Sequence, residues 1–500
     1  MSAPTGRTEG RAPAASRDLA WPLVSVLLLS LALSLAISHA LPLLDPDEGR
    51  NAEVAREMVA NRDVVIPHLA GMPYLDKPPA FFWAVALSIA RFGNTPLAAR
   101  LPAMLAALLT LALVGRAGWR AGGTAFGLTA AALLAVAPLF AGLSAYVIFD
   151  LPLALCVTVV WLGLARELDA GATARRRLAM FLAIALGILL KGPVMLAWAL
   201  GGSLGAALVL RSRAPLRWLA WIPGWIVALG LPALWFARAT ARFPEYPHYA
   251  FLEESLERMT RGTFHRGQPW WFVPAVLVGG ALPWSLVTPW SRARLGRAAP
   301  EVTRAALAGL GFAAFALVFF TLSRSKLVTY LVPALPPLAW TAAAMWTDAA
   351  RRPAGRLALI GLVALLPAVL ILGLPATSRL SRLDSGAPLA RAIRVGGGGA
   401  VRYEGCYSYG TDFLLGRSST LVSASGEETT SNYQVRYRDR LRARGLWTAL
   451  DRAPDGDGAR WIVRPRRSNA APPPGFVEAF RDDRFVAFRS SASDPSRHSD

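Results

Sequence analysis

Long apolar stretches alternate with short polar gaps over most of the chain. They fall at about 19–42, 97–115, 123–141, 150–165, 177–190, 192–210, 217–237, 269–290, 305–322, 327–347 and 356–376. A helix that crosses a bilayer needs about 20 predominantly apolar residues, so the pattern predicts about eleven crossings. Two of the shorter stretches flank Lys191-Gly192-Pro193. The segment from Pro79 to Arg91 is apolar and aromatic but falls well short of about 20 residues. It is expected to lie along the outer membrane interface rather than to cross.

Composition agrees with this pattern: of 500 residues 54% are apolar, and the mean hydropathy is +0.39. A net charge of +21 would suggest nucleic acid in a soluble chain. Here the arginines sit in alternate gaps between apolar stretches, among them Arg116, Arg120, Arg175, Arg176, Arg177, Arg211, Arg213, Arg217, Arg294 and Arg297. That is the cytoplasmic signature of a membrane protein, and no nucleic-acid partner is expected. The charge rule also fixes the expected topology. Residues 1–18 form a disordered cytoplasmic N-terminus, and Leu19 to Leu44 is too long for a cleaved leader. The outer side holds 43–96, the turn at Asp150, 238–268, Ser323–Lys326 and everything beyond about 377. Were Pro79–Arg91 to cross, the arginine gaps would face out. Trp270, Trp271, Trp284 and Trp290 read as interfacial anchors. Cys156 and Cys406 are expected in different compartments, without a disulfide.

The chain changes character near residue 377. Gly396–Gly399 reads as a hinge; Ala400–Tyr409, Arg460–Val463 and Phe485–Arg489 read as strands; and Tyr433–Arg444 reads as a helix. The expected architecture is therefore a polytopic α-helical membrane domain, 19–376, with a small extramembrane α/β domain at 377–489 and a disordered tail at 490–500.

The most informative stretch is Leu44 to Trp83. Locally, Asp45 can cap a helix, Pro46 fits its first position and Glu48 completes a capping box. Asp47 is then spare, beyond favouring the helix dipole. The ordered motifs PDEGRNAEVAREM, PHLAG and YLDKPP resemble the first outer loop of C-type membrane glycosyltransferases. That family uses sugars carried on polyprenyl phosphate and includes lipid A aminoarabinose transferases and protein O-mannosyltransferases. The resemblance continues through FDLPL, LLKGP, the loop from Glu245 to Trp271 and SRSKLVTYLVPALPP.

The resemblance implies a hexosyl or pentosyl transferase. It would move a sugar from a polyprenyl-phosphate donor to a glycan, lipid A or protein acceptor at the outer face of the inner membrane, by one inverting displacement. Such a reaction needs a base for the acceptor hydroxyl and positive charge for the departing phosphate. Asp47 stands where the family has its catalytic carboxylate. Lys77, Arg258, Tyr330 and Lys326 match phosphate-binding positions or lie beside them. Asp150 would order the site or cap its helix. Glu48, Arg50, Tyr74 and His248 are further candidates, and Lys191 matches a family position without an assigned role. Some relatives bind a divalent metal through a glutamate and a histidine. Asp76 and Ser255 stand at those positions here, leaving Asp76 as the one candidate ligand for a divalent metal, the only cofactor the resemblance implies. The alternative, a lipid or sugar transporter, would explain the spans without chemistry, but no repeated halves are visible.

Overall fold

The computed structural model describes residues 20–257, 267–288, 290, 292–346, 353–381, 383–453, 458–468 and 471–491. The segment 1–18, expected on the cytoplasmic side, and most of the C-terminal tail lie outside these residues, as does Arg258.

The membrane region is built from α1 (Ala20–Ala40), α4 (Pro96–Gly122), α5 (Thr124–Ala135), α6 (Pro138–Ser144), α7 (Asp150–Ala170), α8 (Ala174–Lys191), α9 (Val194–Leu210) and α10 (Ile222–Arg242). Further helices cover Phe272–Gly280, Pro300–Leu322, Leu335–Trp346 and Pro353–Ser381. Among the described residues six helical stretches are long and apolar enough to cross a membrane, or seven if α5 and α6 form one bent span. The multi-span helical architecture is as the pattern predicts, although several expected crossings are shorter or broken. The stretch 123–141 bends by 71° between α5 and α6, where Pro138 cannot donate to the preceding turn. The stretch 269–290 breaks after Gly280, ahead of Pro283. Trp284, expected as an anchor, is buried, whereas Trp270, Trp271 and Trp290 are exposed.

Small residues allow the tightest helix crossing. A Cβ on Gly205 of α9 would lie 2.2 Å from the Gly311 carbonyl oxygen of Pro300–Leu322. Backbones that approach so closely gain dispersion contacts that lipid cannot supply. On the other side of Pro300–Leu322, indole N–H groups of Trp161 and Trp340 donate to Ala305 and Val302 carbonyls at 3.0 and 3.1 Å.

Between α1 and α4 the chain forms α2 (Asp47–Asn61), a hairpin of β1 (His68–Leu69) and β2 (Met72–Pro73), and α3 (Ala80–Phe92). Thirteen residues give α3 a length of about 20 Å, against a hydrocarbon core of about 30 Å. Phe81, Phe82, Val85 and Ile89 bury one face while Leu87 and Phe92 are exposed. That arrangement suits a helix lying at an interface.

The C-terminal region forms a five-stranded mixed sheet in the order β4-β3-β5-β7-β6. Its strands are β3 (Val401–Glu404), β4 (Thr420–Val422), β5 (Trp461–Pro465), β6 (Phe476–Arg481) and β7 (Phe485–Ser490). β3 is parallel to β4 and β5; β7 is antiparallel to β5 and β6. The expected strand 400–409 ends at Glu404, and Tyr409–Leu415 is helical. The expected helix 433–444 is two short ones, Asn432–Arg436 and Arg438–Ala443. Gly397, Gly398 and Gly399 all have positive φ, so the glycine run makes a turn that side chains would resist.

This sheet region packs onto the α2–α3 loop. Asp45 shows how. It does not cap α2, whose N-cap position is Pro46 without a side-chain bond. Its carboxylate instead accepts from the Gly410 amide at 3.0 Å and Ser408 Oγ at 3.1 Å, and faces Arg484. Burial raises its pKa, partly offset by Arg484 and the Gly410 amide.

Candidate active site

The site begins with α2. Successive helical residues are turned by about 100°, so neighbours in sequence face different surroundings. Glu48 points inward and is fully buried. Arg100 of α4 grips it with two bonds of 2.8 and 2.7 Å. Glu48 also accepts from the Val147 and Leu44 amides, while Arg100 reaches the Leu41 and Pro42 carbonyls. Glu48 is thus a structural tie between three segments rather than a group presented to a substrate. Asp47 points outward with a side chain 52% exposed and pairs with Arg50 at 2.7 Å. Arg50 donates its other terminal nitrogen to Thr430 Oγ1 at 2.6 Å, and its buried Nε has no partner among the described residues.

The hairpin then carries the chain to the second cluster. Glu57 accepts from the Gly71 amide, and Gln434 donates to the Leu69 carbonyl. These bonds hold the turn at Ala70 and Gly71, both of positive φ. Tyr74, Asp76 and Lys77 follow. Tyr74 is buried within the field of Arg50, Asp76, Glu254 and Asp47, and burial raises its pKa. Asp76 accepts from the Tyr433 and Asn432 amides at 2.8 and 3.1 Å and from the Tyr249 hydroxyl. Its pKa is raised by burial and by Glu254, against the opposing pull of Lys77.

Lys77 opens onto a cavity of about 440 Å³. Lys191, Tyr330, Glu254 and Ser255 share its lining with Trp198, Phe236, Phe251 and Phe320, so a few polar groups sit in an apolar wall. Lys77 Nζ lies 2.5 Å from Glu254 Oε1. Lys191 Nζ lies 2.5 Å from Asp150 Oδ1 and 4.6 Å from the centre of the Tyr330 ring. Asp150 is the first residue of α7 and Lys191 the last of α8, so this ion pair locks two helix ends at the cavity floor.

Several expected residues fall elsewhere. Lys326 is buried, donates to the Gln268 carbonyl at 3.0 Å and does not line the cavity. His248 is exposed and pairs with Glu253 at 3.1 Å beside a separate polar hollow containing Arg436 and Arg440. Arg258 lies outside the described residues. Glu254 and the backbone of Asn432 and Tyr433 were not expected in the site. Their partners are between 177 and 357 residues away in sequence, and no local pattern signals such contacts.

Known proteins resemble this chain in both sequence and fold. The model of the family described as dolichyl-phosphate-mannose-protein mannosyltransferase matches residues 76–235. The undecaprenyl phosphate-alpha-4-amino-4-deoxy-L-arabinose arabinosyl transferase of Pseudomonas aeruginosa strain UCBPP-PA14 is 33% identical over 312 residues, 59% of this chain and 54% of that protein. One from Sodalis glossinidius is 31% identical over 333 residues, 64% of this chain and 59% of that protein. The chain thus spans little more than half the length of these curated relatives. The crystal structure of ArnT from Cupriavidus metallidurans bound to undecaprenyl phosphate superposes with a TM-score of 0.76 at 22% identity, covering 94% of this chain and 98% of that one. The resemblance read from the loop motifs is borne out, and the fold is that of this structure.

Proposed function

We propose that the protein is a C-type glycosyltransferase of the inner membrane, which takes a sugar from polyprenyl phosphate and transfers it to an acceptor at the outer face. The observation that carries this reading is the cavity. It brings Lys77, Lys191 and Tyr330 together in a largely apolar wall, and a few polar groups set among apolar side chains suit a lipid phosphate. The relatives named above act with undecaprenyl-phosphate sugars, which is the same ligand chemistry. The arginine gaps support an outward-facing site, since they lie at the opposite ends of the helices.

In this reading the acceptor oxygen attacks the anomeric carbon as the bond from that carbon to the phosphate oxygen breaks. The electron pair leaves with the phosphate. Asp47 takes the acceptor proton, which its exposure permits. Lys77, Tyr330 and Arg258 hold the phosphate as its charge grows towards a dianion, and groups that bind the growing charge more tightly than the initial charge lower the barrier. Lys191 and Asp150 hold the floor in shape. The donor's apolar tail lies among Trp198, Phe236 and Phe320. Glycan, lipid A and protein all remain acceptor classes for this chemistry.

A divalent metal does not fit at Asp76. Both its oxygens already accept hydrogen bonds, from three donors in all. Ser255 donates to a backbone carbonyl, and no group of three metal-binding side chains exists among the described residues. No step is therefore assigned to a metal. The test is incubation of purified protein with a radiolabelled polyprenyl-phosphate sugar and an envelope extract. Labelled glycoconjugate supports transfer, whereas uptake of intact donor into vesicles without product would favour a transporter.

A further inference from the structure

The two cavity lysines are already neutralised, by carboxylates held in different ways. Lys191 is paired with Asp150, whose side chain is only 3% exposed and whose backbone starts α7. The pair ties the first residue of α7 to the last of α8. Lys77 is paired with Glu254, which lies on the π-helical segment His248–Glu257. Glu254 has a longer side chain, a 10% exposed position and a second oxygen 3.4 Å from Asn432 Nδ2. A phosphate that reaches Lys77 meets a carboxylate in its place, and two anions cannot share one ammonium in a half-apolar cavity without strong repulsion.

Resting on the donor reading above, we propose that Glu254 is a built-in competitor for the donor phosphate. It occupies Lys77 when the cavity is empty, swings towards Asn432 when a lipid phosphate arrives, and returns to Lys77 to help expel the product. The product carries more negative charge than the donor and binds the cations more tightly. An enzyme that holds its product tightly is limited by release. A carboxylate poised beside Lys77 offsets that penalty, because it repels the dianion more than the monoanion. Glu254 touches neither reacting bond. It acts through Lys77 and is a positioning residue.

The test is equilibrium binding of undecaprenyl phosphate to the purified full chain, with single- and multiple-turnover transfer rates measured beside it. Glu254→Gln should bind undecaprenyl phosphate about tenfold more tightly, the scale of one removed charge at a partly buried site. Its single-turnover rate should be retained while its multiple-turnover rate falls and product inhibition deepens. Glu254→Asp, which keeps the charge but reaches less far, should lie between; it also serves if Glu254→Gln folds poorly. In a Lys77→Ala background Glu254→Gln should tighten binding far less. Unchanged or weaker binding in Glu254→Gln, with Lys77→Ala weakened, overturns the competitor role and leaves the donor site standing. Unchanged binding in Lys77→Ala overturns the donor site itself.

Discussion

Asp47 and Glu48 are consecutive carboxylates with opposite surroundings. Glu48 is sealed in the protein, gripped by Nε and Nη2 of Arg100 and by two backbone amides. Asp47 is half exposed and held by one arginine that still has a buried nitrogen without a partner. One residue step of α2, about 100° of rotation, thus separates a carboxylate that holds the fold from one that is open to solvent. Full satisfaction marks a structural charge, because every lone pair is already spoken for. An exposed charge with spare capacity is the better candidate for chemistry.

The contrast can be broken at either member. Asp47→Asn should lower the transfer rate by about 10²–10⁴-fold, the usual loss of a positioned base. Its thermal unfolding in detergent should shift little, since the side chain is exposed and nearly isosteric. Arg100→Ala should do the reverse. Removing one partner of a buried pair costs about 3–5 kcal/mol, so a thermal melt should show a large destabilisation and any lost activity should track lost protein. Equal melts for Arg100→Ala and wild type would remove the structural role of Glu48.

Smaller effects sharpen the picture further out. Tyr330→Phe should weaken undecaprenyl phosphate binding by about 1–3 kcal/mol, as one hydroxyl donor to a charged group is lost. The smallest expected effect is a pH dependence where the C-terminal region meets α2. Burial raises Glu57 to about 7 and Asp412 to about 6. Both bind protons more readily folded than unfolded, so stability falls as pH rises from near the ordinary carboxylate range towards about 7 and then levels off. Each group contributes at most about 1.4 kcal/mol per pH unit in that window. Thermal melts between pH 5 and 8 should show the decline, and Glu57→Gln should flatten it; a slope unchanged by Glu57→Gln would assign the effect elsewhere.

The apolar stretches were enough to read a multi-span helical architecture, because a bilayer demands the same signal of every span, but not the count: about eleven crossings were expected, and six or seven helical stretches are long and apolar enough among the described residues. They could not show where Pro138 and Pro283 break the helices, since a proline in an apolar run is compatible with either a kink or a stop. The position of Asp47 was legible only through its motif: local rules explained Asp45 and Glu48 as a capping box and were wrong about Asp45, which serves a contact with Gly410, 365 residues away. Glu254 and the Asn432–Tyr433 amides were invisible for the same reason. The C-terminal sheet was half legible. β5 and β7 stood out as apolar runs, whereas exposed β6 alternates too weakly to be seen.

Catalysis and donor binding are assigned to different residues, and equilibrium binding of undecaprenyl phosphate to wild type, Asp47→Asn and Lys77→Ala separates them in one experiment. Wild-type affinity in Asp47→Asn, with a marked loss in Lys77→Ala, is the predicted result. Loss of affinity in Asp47→Asn with full affinity in Lys77→Ala would contradict it, placing the phosphate at α2 and leaving the cavity without its donor.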